Sequence, residues 1–219
     1  MSHHALKTSR CQIAALALTI LLTGCAVGNK HTYHDASATP TTTIRTEKSI
    51  AVSSVDQRSY VVSGNKTPDF VGLQRGGFGN PFDVLTLSGK TLASEFSEAI
   101  KAALVRNGAN VIAIDTQAAA DNRGAMTSLM ATHRDRLLLL SINEWKADTA
   151  QNTRLFFTLK LVVTDSNGKE IATKSLKDDL NLGGSAFNPP GHAKEVIPGR
   201  FRSAVEQLLN SPEIASALK

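Results

Sequence analysis

The apolar residues of this chain change period several times, and each change marks an element. Ile50, Val52 and Ser54 alternate with Ala51, Ser53 and Val55, which predicts a first strand over roughly 49–56. Tyr60-Val61-Val62 reads as its continuation past a kink. From Ser63 to about Leu85 the pattern lapses into a loop of roughly 20 residues, a length that marks loops as functional or disordered. It carries Gly64, Pro68, Gly72, Gly76-Gly77, Gly79 and Pro81. Phe70, Leu73, Phe78, Phe82 and Val84 within it need cover, from the body or from a partner.

Helical spacing follows. Leu92, Phe96, Ile100 and Leu104 fall on one face of a helix that Ser88 or Thr91 can cap and Asn107-Gly108 can stop. Val111 to Ile114 reads as a short buried strand. The segment 116–135 is mixed: Ala118–Ala120 and Met126–Ala131 look helical, with Gly124 between them. Arg136 to Lys146 contains the leucine run 137–140 and reads as a central strand buried on both faces. Leu155, Phe157, Leu159, Leu161 and Val163 alternate with more polar neighbours, so that strand has one face on the core. Asp165-Ser166-Asn167-Gly168 is a hairpin turn, and Lys169 to Leu180 returns as an outer strand. Asn188-Pro189-Pro190-Gly191 reads as a break. Phe201, Val205, Leu208 and Leu209 stripe a closing helix that ends at Asn210-Ser211-Pro212.

This order predicts an α+β two-layer sandwich: a mostly antiparallel sheet with a C-terminal three-strand meander, packed by two or three helices. Residues 48–219 are enough for one domain with its own core.

Ahead of that domain, Ala26 to Glu47 is polar and Thr-rich and has no apolar period. It reads as a disordered tether with a reach of roughly 25 Å r.m.s.. His31, His34 and Asp35 lie within it and are metal-ligand types, yet nothing in such a linker preorganises ligands, so no metal is expected.

Residues 1–24 carry Lys7 and Arg10 with no acid, then an apolar run, Gln12 to Leu22. That run is too short to span a bilayer, which takes about 20 residues. Small residues follow it, and Leu22-Thr23-Gly24-Cys25 resembles the lipobox of bacterial lipoproteins. The resemblance implies a cleaved signal peptide and a Cys25 carrying a diacylglyceryl thioether and an N-acyl chain such as palmitate. Several acyl chains make a stable membrane anchor. Ala26, where a retention signal would have Asp, implies the outer membrane, with the domain facing the periplasm. Inner membrane and cell surface stay open as alternatives.

These assignments change the chemistry expected. Cys11 leaves with the signal peptide and Cys25 is alkylated, so the mature chain is expected to lack free thiols and disulfides. Losing Lys7 and Arg10 takes the net charge from +5 to +3. No Lys/Arg cluster is interleaved with aromatics, and no nucleic acid is expected.

Motifs that invite a catalytic reading fall short. Ser88-Gly89-Lys90-Thr91 looks like the end of a phosphate-binding loop, but Val84 stands where the first glycine is required; no nucleotide or other cofactor is expected. Gly183-Gly184-Ser185-Ala186-Phe187 lacks the final glycine of a nucleophile elbow. His133 and His192 read as surface histidines, and Glu144 and Asp148 as strand-end charges around Trp145. No catalytic residue is assigned. The surface candidate is the sole tryptophan, Trp145, together with Phe70, Phe78 and Phe82, because tryptophan is enriched in binding hot spots. A Trp145 that merely packs at the core edge is the competing reading.

With its element order, Val55-Asp56-Gln57-Arg58 after the first strand, Arg106-Asn107-Gly108 at the helix end and Asn167-Gly168-Lys169 in the hairpin, the chain resembles the YajG-type uncharacterised lipoproteins of Gram-negative bacteria over about 48–219. It departs from that pattern at 63–85 and 188–191. The resemblance implies an envelope accessory protein and supplies no catalytic residues. The first functional reading is therefore a lipid-anchored, non-enzymatic protein that docks onto an envelope protein partner. The alternative is a periplasmic binding module for a lipid, glycan or other small ligand, and an enzyme comes third.

Overall fold

Four consecutive leucines, Leu137–Leu140, begin the strand around which the rest is arranged. The computed structural model describes residues 28–115 and 121–219. In chain order these form β1 (Lys30–His31), β2 (Ile50–Asp56), α1 (Ser59–Val62), β3 (Phe70–Arg75), β4 (Pro81–Thr86), α2 (Leu92–Arg106) and β5 (Val111–Ala113). They continue with α3 (Asn122–Met130), β6 (Arg136–Thr149), β7 (Asn152–Asp165), β8 (Glu170–Gly184), α4 (Pro189–Leu209) and α5 (Pro212–Ala217).

On one edge β6 pairs antiparallel with β7, and β7 with β8, which is the predicted meander. On its other edge β6 serves two strands in turn. Its first half, Arg136–Ile142, pairs parallel with β2. Its far end, Ala147–Thr149, pairs parallel with β3. β2 carries β5 on its outer side; β3 carries β4, which carries β1. The sheet thus forks at the middle of β6, and its antiparallel meander is joined by parallel strands.

A bulge marks the fork. The β6–β7 register shifts between Ile142 and Glu144. Before it, Leu138, Leu140 and Ile142 belong to the main core; after it, Trp145 and Ala147 do. One extra residue, the exposed Asn143, exchanges the faces of everything that follows.

α2 and α4 cover the main core, and the predicted stripe of α2 is buried there with Phe201, Val205 and Leu208 of α4. The other face of β2 and β6 packs Ala51, Val55, Leu137 and Leu139 against Ala125 and Leu129 of α3. Double coverage explains why the leucine run has no polar alternation. The α+β class holds.

Several local expectations need correction. The segment 63–85 is not a long loop but the β3–β4 hairpin with a short approach. Gly72 sits there because β3 lies so close to β6 that a Cβ would fall 2.5 Å from the Ala147 carbonyl oxygen. Tyr60-Val61-Val62 turns as α1 instead of extending β2. Pro189 and Pro190 do not break the chain. They open α4, where the first turn needs no amide donors, and the Asn188 side chain caps it by accepting from Gly191 N at 3.0 Å. α2 is capped by Thr91, whose Oγ1 accepts from Ser94 N at 3.1 Å.

The largest correction concerns the supposed tether. Residues 28–47 lie on the body: β1 pairs with β4, and Tyr33, Ala38 and Ile44 are buried in the main core. These three apolar side chains are spaced irregularly, so they form no period and the segment reads as polar. The body therefore starts well before residue 48. The predicted signal peptide, the predicted lipidation site at Cys25 and Ala118–Ala120 lie outside the described residues.

Candidate functional site

The N-terminal segment is a strap bonded across the helices. Lys30 and His31 pair with Leu85 and Thr86, and Leu87 N donates to His31 O at 2.7 Å. The Tyr33 ring meets Phe201 edge-on at 4.7 Å, and Trp145 Nε1 donates to Tyr33 Oη at 3.1 Å. Thr41 gives both its N–H and its hydroxyl to Glu206 of α4 at 2.9 and 2.8 Å. Thr42 donates to Asn210, and the Asn107 side-chain amide at the end of α2 donates to Thr42 O.

The two strap histidines serve different neighbours. His31 is buried, and desolvation, helped by Lys194, lowers its pKa to about 4, so its imidazole is neutral. His34 pairs with Glu95 in the first turn of α2, which also takes the Ser88 hydroxyl. Burial raises the Glu95 pKa against the opposing pull of Ser88, His34 and Lys90. Among the described residues no group of three or more His, Cys, Asp or Glu side chains is placed to hold a metal ion.

Arg58, just past β2, fills the fork of the sheet. Its Nη1 donates to Phe70 O at 2.6 Å and Trp145 O at 3.1 Å, the first carbonyl from β3 and the second from β6. Its Nε and Nη2 grip both oxygens of Asp56 at 2.8 and 2.6 Å. Desolvation works against this fully buried charge, and the Asp56 bonds outweigh it, so the Arg58 pKa rises. Asp56 and Arg58 were legible only as residues of a turn; their role depends on two strands far away in sequence.

The side chains that could do chemistry are dispersed. Glu144 takes the Tyr60 hydroxyl and the Trp145 N–H. Asp148 is held two-pronged by Arg75 at 2.8 and 2.6 Å. His192, on α4, has its Nε2 3.1 Å from Leu182 O of β8, whereas His133 sits at φ 52° in the turn after α3.

The four residues read as a binding surface do not form one. Trp145 is 0% exposed, packed among Tyr33, Phe96, Phe157 and Phe201. The bulge at 143–144 turns it inward. Phe70 is 1% exposed, and Phe82 is half-buried beside Gly76. Phe78, at the tip of the β3–β4 hairpin, is 99% exposed.

A cleft of about 780 Å³ opens where β2 and β5 end, beside α1 and the first turns of α2. Ser54, Asp56, Val62, Lys90, Ser97 and Asp115 are among its walls, and Ser97 Oγ donates to Ser54 Oγ at 2.9 Å. The crevice outside the carboxyl ends of parallel strands is where α/β sheets commonly take ligands. None of the described helices is long and apolar enough to cross a membrane.

No protein-family model matches the sequence, and no curated protein is similar to it. Among solved structures the chain is similar to protein XCC0632 from Xanthomonas campestris, with 10% identity over 84% of this chain and 93% of that one and a TM-score of 0.47. It is also similar to PelC from Paraburkholderia phytofirmans, solved as a dodecamer, with 15% identity over 77% and 93% and a TM-score of 0.37. Lipoprotein GNA1162 from Neisseria meningitidis is similar at 15% identity over 71% and 99%, with a TM-score of 0.28.

Proposed function

We propose that this chain is a lipid-anchored accessory protein of the bacterial cell envelope, attached through acylated Cys25 and acting by interaction and not by catalysis. The observation that carries this reading is the strap. β1 begins at Lys30, only five positions after Cys25. Three residue steps separate Cys25 from Gly28, and these span at most about 11 Å. An acyl anchor at Cys25 therefore holds the body against the membrane instead of suspending it on a long tether. The dispersal of His133, His192, Glu144 and Asp148 among separate structural contacts supports a role without catalysis. Ala26 after Cys25 supports the outer membrane as the destination.

The test is the state of Cys25. Mass spectrometry of the N-terminal peptide from membranes should find it triacylated, and Cys25→Ser should move the folded protein to the soluble fraction. A stoichiometric envelope-protein partner that co-purifies in mild detergent with the acylated form completes the reading. An unmodified Cys25 in a soluble chain would sink it.

The cleft favours a second reading, a binding module for a small ligand. Its volume lies within the range of small-molecule sites, about 300–1,000 Å³. Under this reading native mass spectrometry finds a bound lipid or glycan, and Ala93→Trp, which fills the cleft, removes it.

A further inference from the structure

Strand directions gather the N-terminus and three turns at one end of the sheet. β3 runs parallel to β6, with Gln74 opposite Thr149, so both strands finish there. β7 starts and β8 finishes at the same end, Asn152 opposite Gly184, and Ser185 N donates to Gln151 O at 3.1 Å. β4 starts there as well, with Pro81 opposite Arg75. β1 runs parallel to β4, so its N-terminal side lies on the Pro81 side, and Leu85 N donates to Asn29 O at 3.2 Å.

The turns at this end share a composition. Residues 76–80 are Gly-Gly-Phe-Gly-Asn, 150–151 are Ala-Gln and 185–188 are Ser-Ala-Phe-Asn, with no charged side chain in any of them. Phe78 is 99% and Phe187 is 101% exposed. The turns at the opposite end differ: 45–49 carries Arg45, Glu47 and Lys48, 131–135 carries Arg134 and Asp135, and 165–169 carries Asp165 and Lys169. Two phenylalanines held wholly in water are unfavourable, whereas phenylalanine rings buried at the boundary between headgroups and acyl chains are favoured. Uncharged turns around them leave no ion to dehydrate there. Near this end Arg75 is neutralised by Asp148.

We propose that this end of the sheet docks onto the phospholipid surface that holds the acyl chains, with Phe78 and Phe187 inserted beside them. The inference rests on the reading that Cys25 is acylated. The covalent reach of at most about 11 Å between Cys25 and Gly28 brings the anchor to this end and to no other.

The cysteine content makes the test clean. Cys11 and Cys25 are the chain's two cysteines, so in the acylated protein an introduced cysteine is the sole reactive thiol. Mature acylated Phe78→Cys, Phe187→Cys and, as control, Asn167→Cys, all free of Cys11, carry an environment-sensitive fluorophore in vesicles of phosphatidylethanolamine and phosphatidylglycerol. Labels at 78 and 187 should shift to the blue and be quenched by lipids spin-labelled near the headgroup, while the label at 167 stays in water. Quenching at 78 and 187 no greater than at 167, in a protein whose parent takes no label, overturns the docking and leaves the anchor standing. Shielding at 78 and 187 in native membranes but not in lipid vesicles assigns this end to a protein partner and also overturns it. A parent chain that takes the label at Cys25 overturns the anchor and the docking together. F78S/F187S removes only exposed side chains, so the fold survives, and it should reduce severalfold the quenching of a label at Asn80→Cys.

Discussion

Trp145 Nε1 donates to Tyr33 Oη at 3.1 Å, joining β6, the strand that pairs with β2, β3 and β7, to a segment 112 residues earlier in the chain. Both side chains are buried, so neither group can turn to water instead. Tyr33→Phe keeps the ring and strands the indole N–H, which should cost about 1–3 kcal/mol. Tyr33→Ala also empties the space against Phe201 and should cost about 3–5 kcal/mol. Urea unfolding followed by Trp145 emission separates the two. Equal stability of both variants with the parent would mean that the strap is not part of the cooperative unit.

This pair also indicates what could be read in the sequence and what could not. The alternation of β7, the stripe of α2 and the Asn167-Gly168 turn are local patterns, and each formed where its period said. Tyr33 could not be found that way, because Tyr33, Ala38 and Ile44 follow no period. Trp145 was legible as the end of a strand, and packing at the core edge was one of its two readings; its full burial depends on the bulge, which is set by pairing with β7. Phe70 looked like loop because Pro68 and Gly72 flank it, yet Gly72 marks a close crossing of strands. Of the surface candidates, Phe78 is the one whose exposure matched its reading. Phe187 escaped notice because it was weighed only as part of a failed catalytic motif.

Arg58 is the most exacting residue of the fork. Two of its carbonyl partners, Phe70 O and Trp145 O, belong to strands that diverge there, and Asp56 balances its charge at close range. Arg58→Ala takes the guanidinium from those carbonyls, leaves the Asp56 carboxylate without its counter-charge, and should cost about 3–5 kcal/mol. Arg58→Lys should rescue little, because a single ammonium cannot reproduce the planar fork. Thermal unfolding of the three proteins checks the order. A lysine variant as stable as the parent would mean that charge, not geometry, is what the fork requires.

Stability should also fall in mild acid through His31. Its folded pKa is about 4 against an ordinary value of 6.5, so the unfolded chain takes up the proton first as the pH drops. The contribution is complete above pH 6.5 and is lost as the pH falls towards 4, by about 3 kcal/mol in total. Glu95 acts in the opposite sense: its raised pKa favours the folded state at low pH and costs stability as the pH rises. Urea midpoints between pH 4 and 7 should slope less steeply in His31→Gln than in the parent, and more steeply in Glu95→Gln. A His31→Gln profile parallel to the parent's would show that another group governs the acid limb.

The last prediction separates the two forces proposed to hold the body to the bilayer. In the proposed arrangement acyl chains fix Cys25, while Phe78 and Phe187 act through the fold. Inserting about 20 Gly and Ser residues after Val27 restores a tether with a reach of roughly 25 Å, which lowers the effective concentration of the docking end at the surface. Membrane retention should not change, because the lipids are untouched, and neither should unfolding, because the strap from Gly28 onward is intact. Quenching of a label at Phe78→Cys should fall only in part, since the exposed ring at 187 still favours the interface. Adding Phe187→Ser to the lengthened chain should then abolish it, whereas in the parent spacing the same substitution should leave much of it. If the lengthened chain loses all quenching without that substitution, the short reach from Cys25 alone presses the body to the membrane and the phenylalanines contribute nothing.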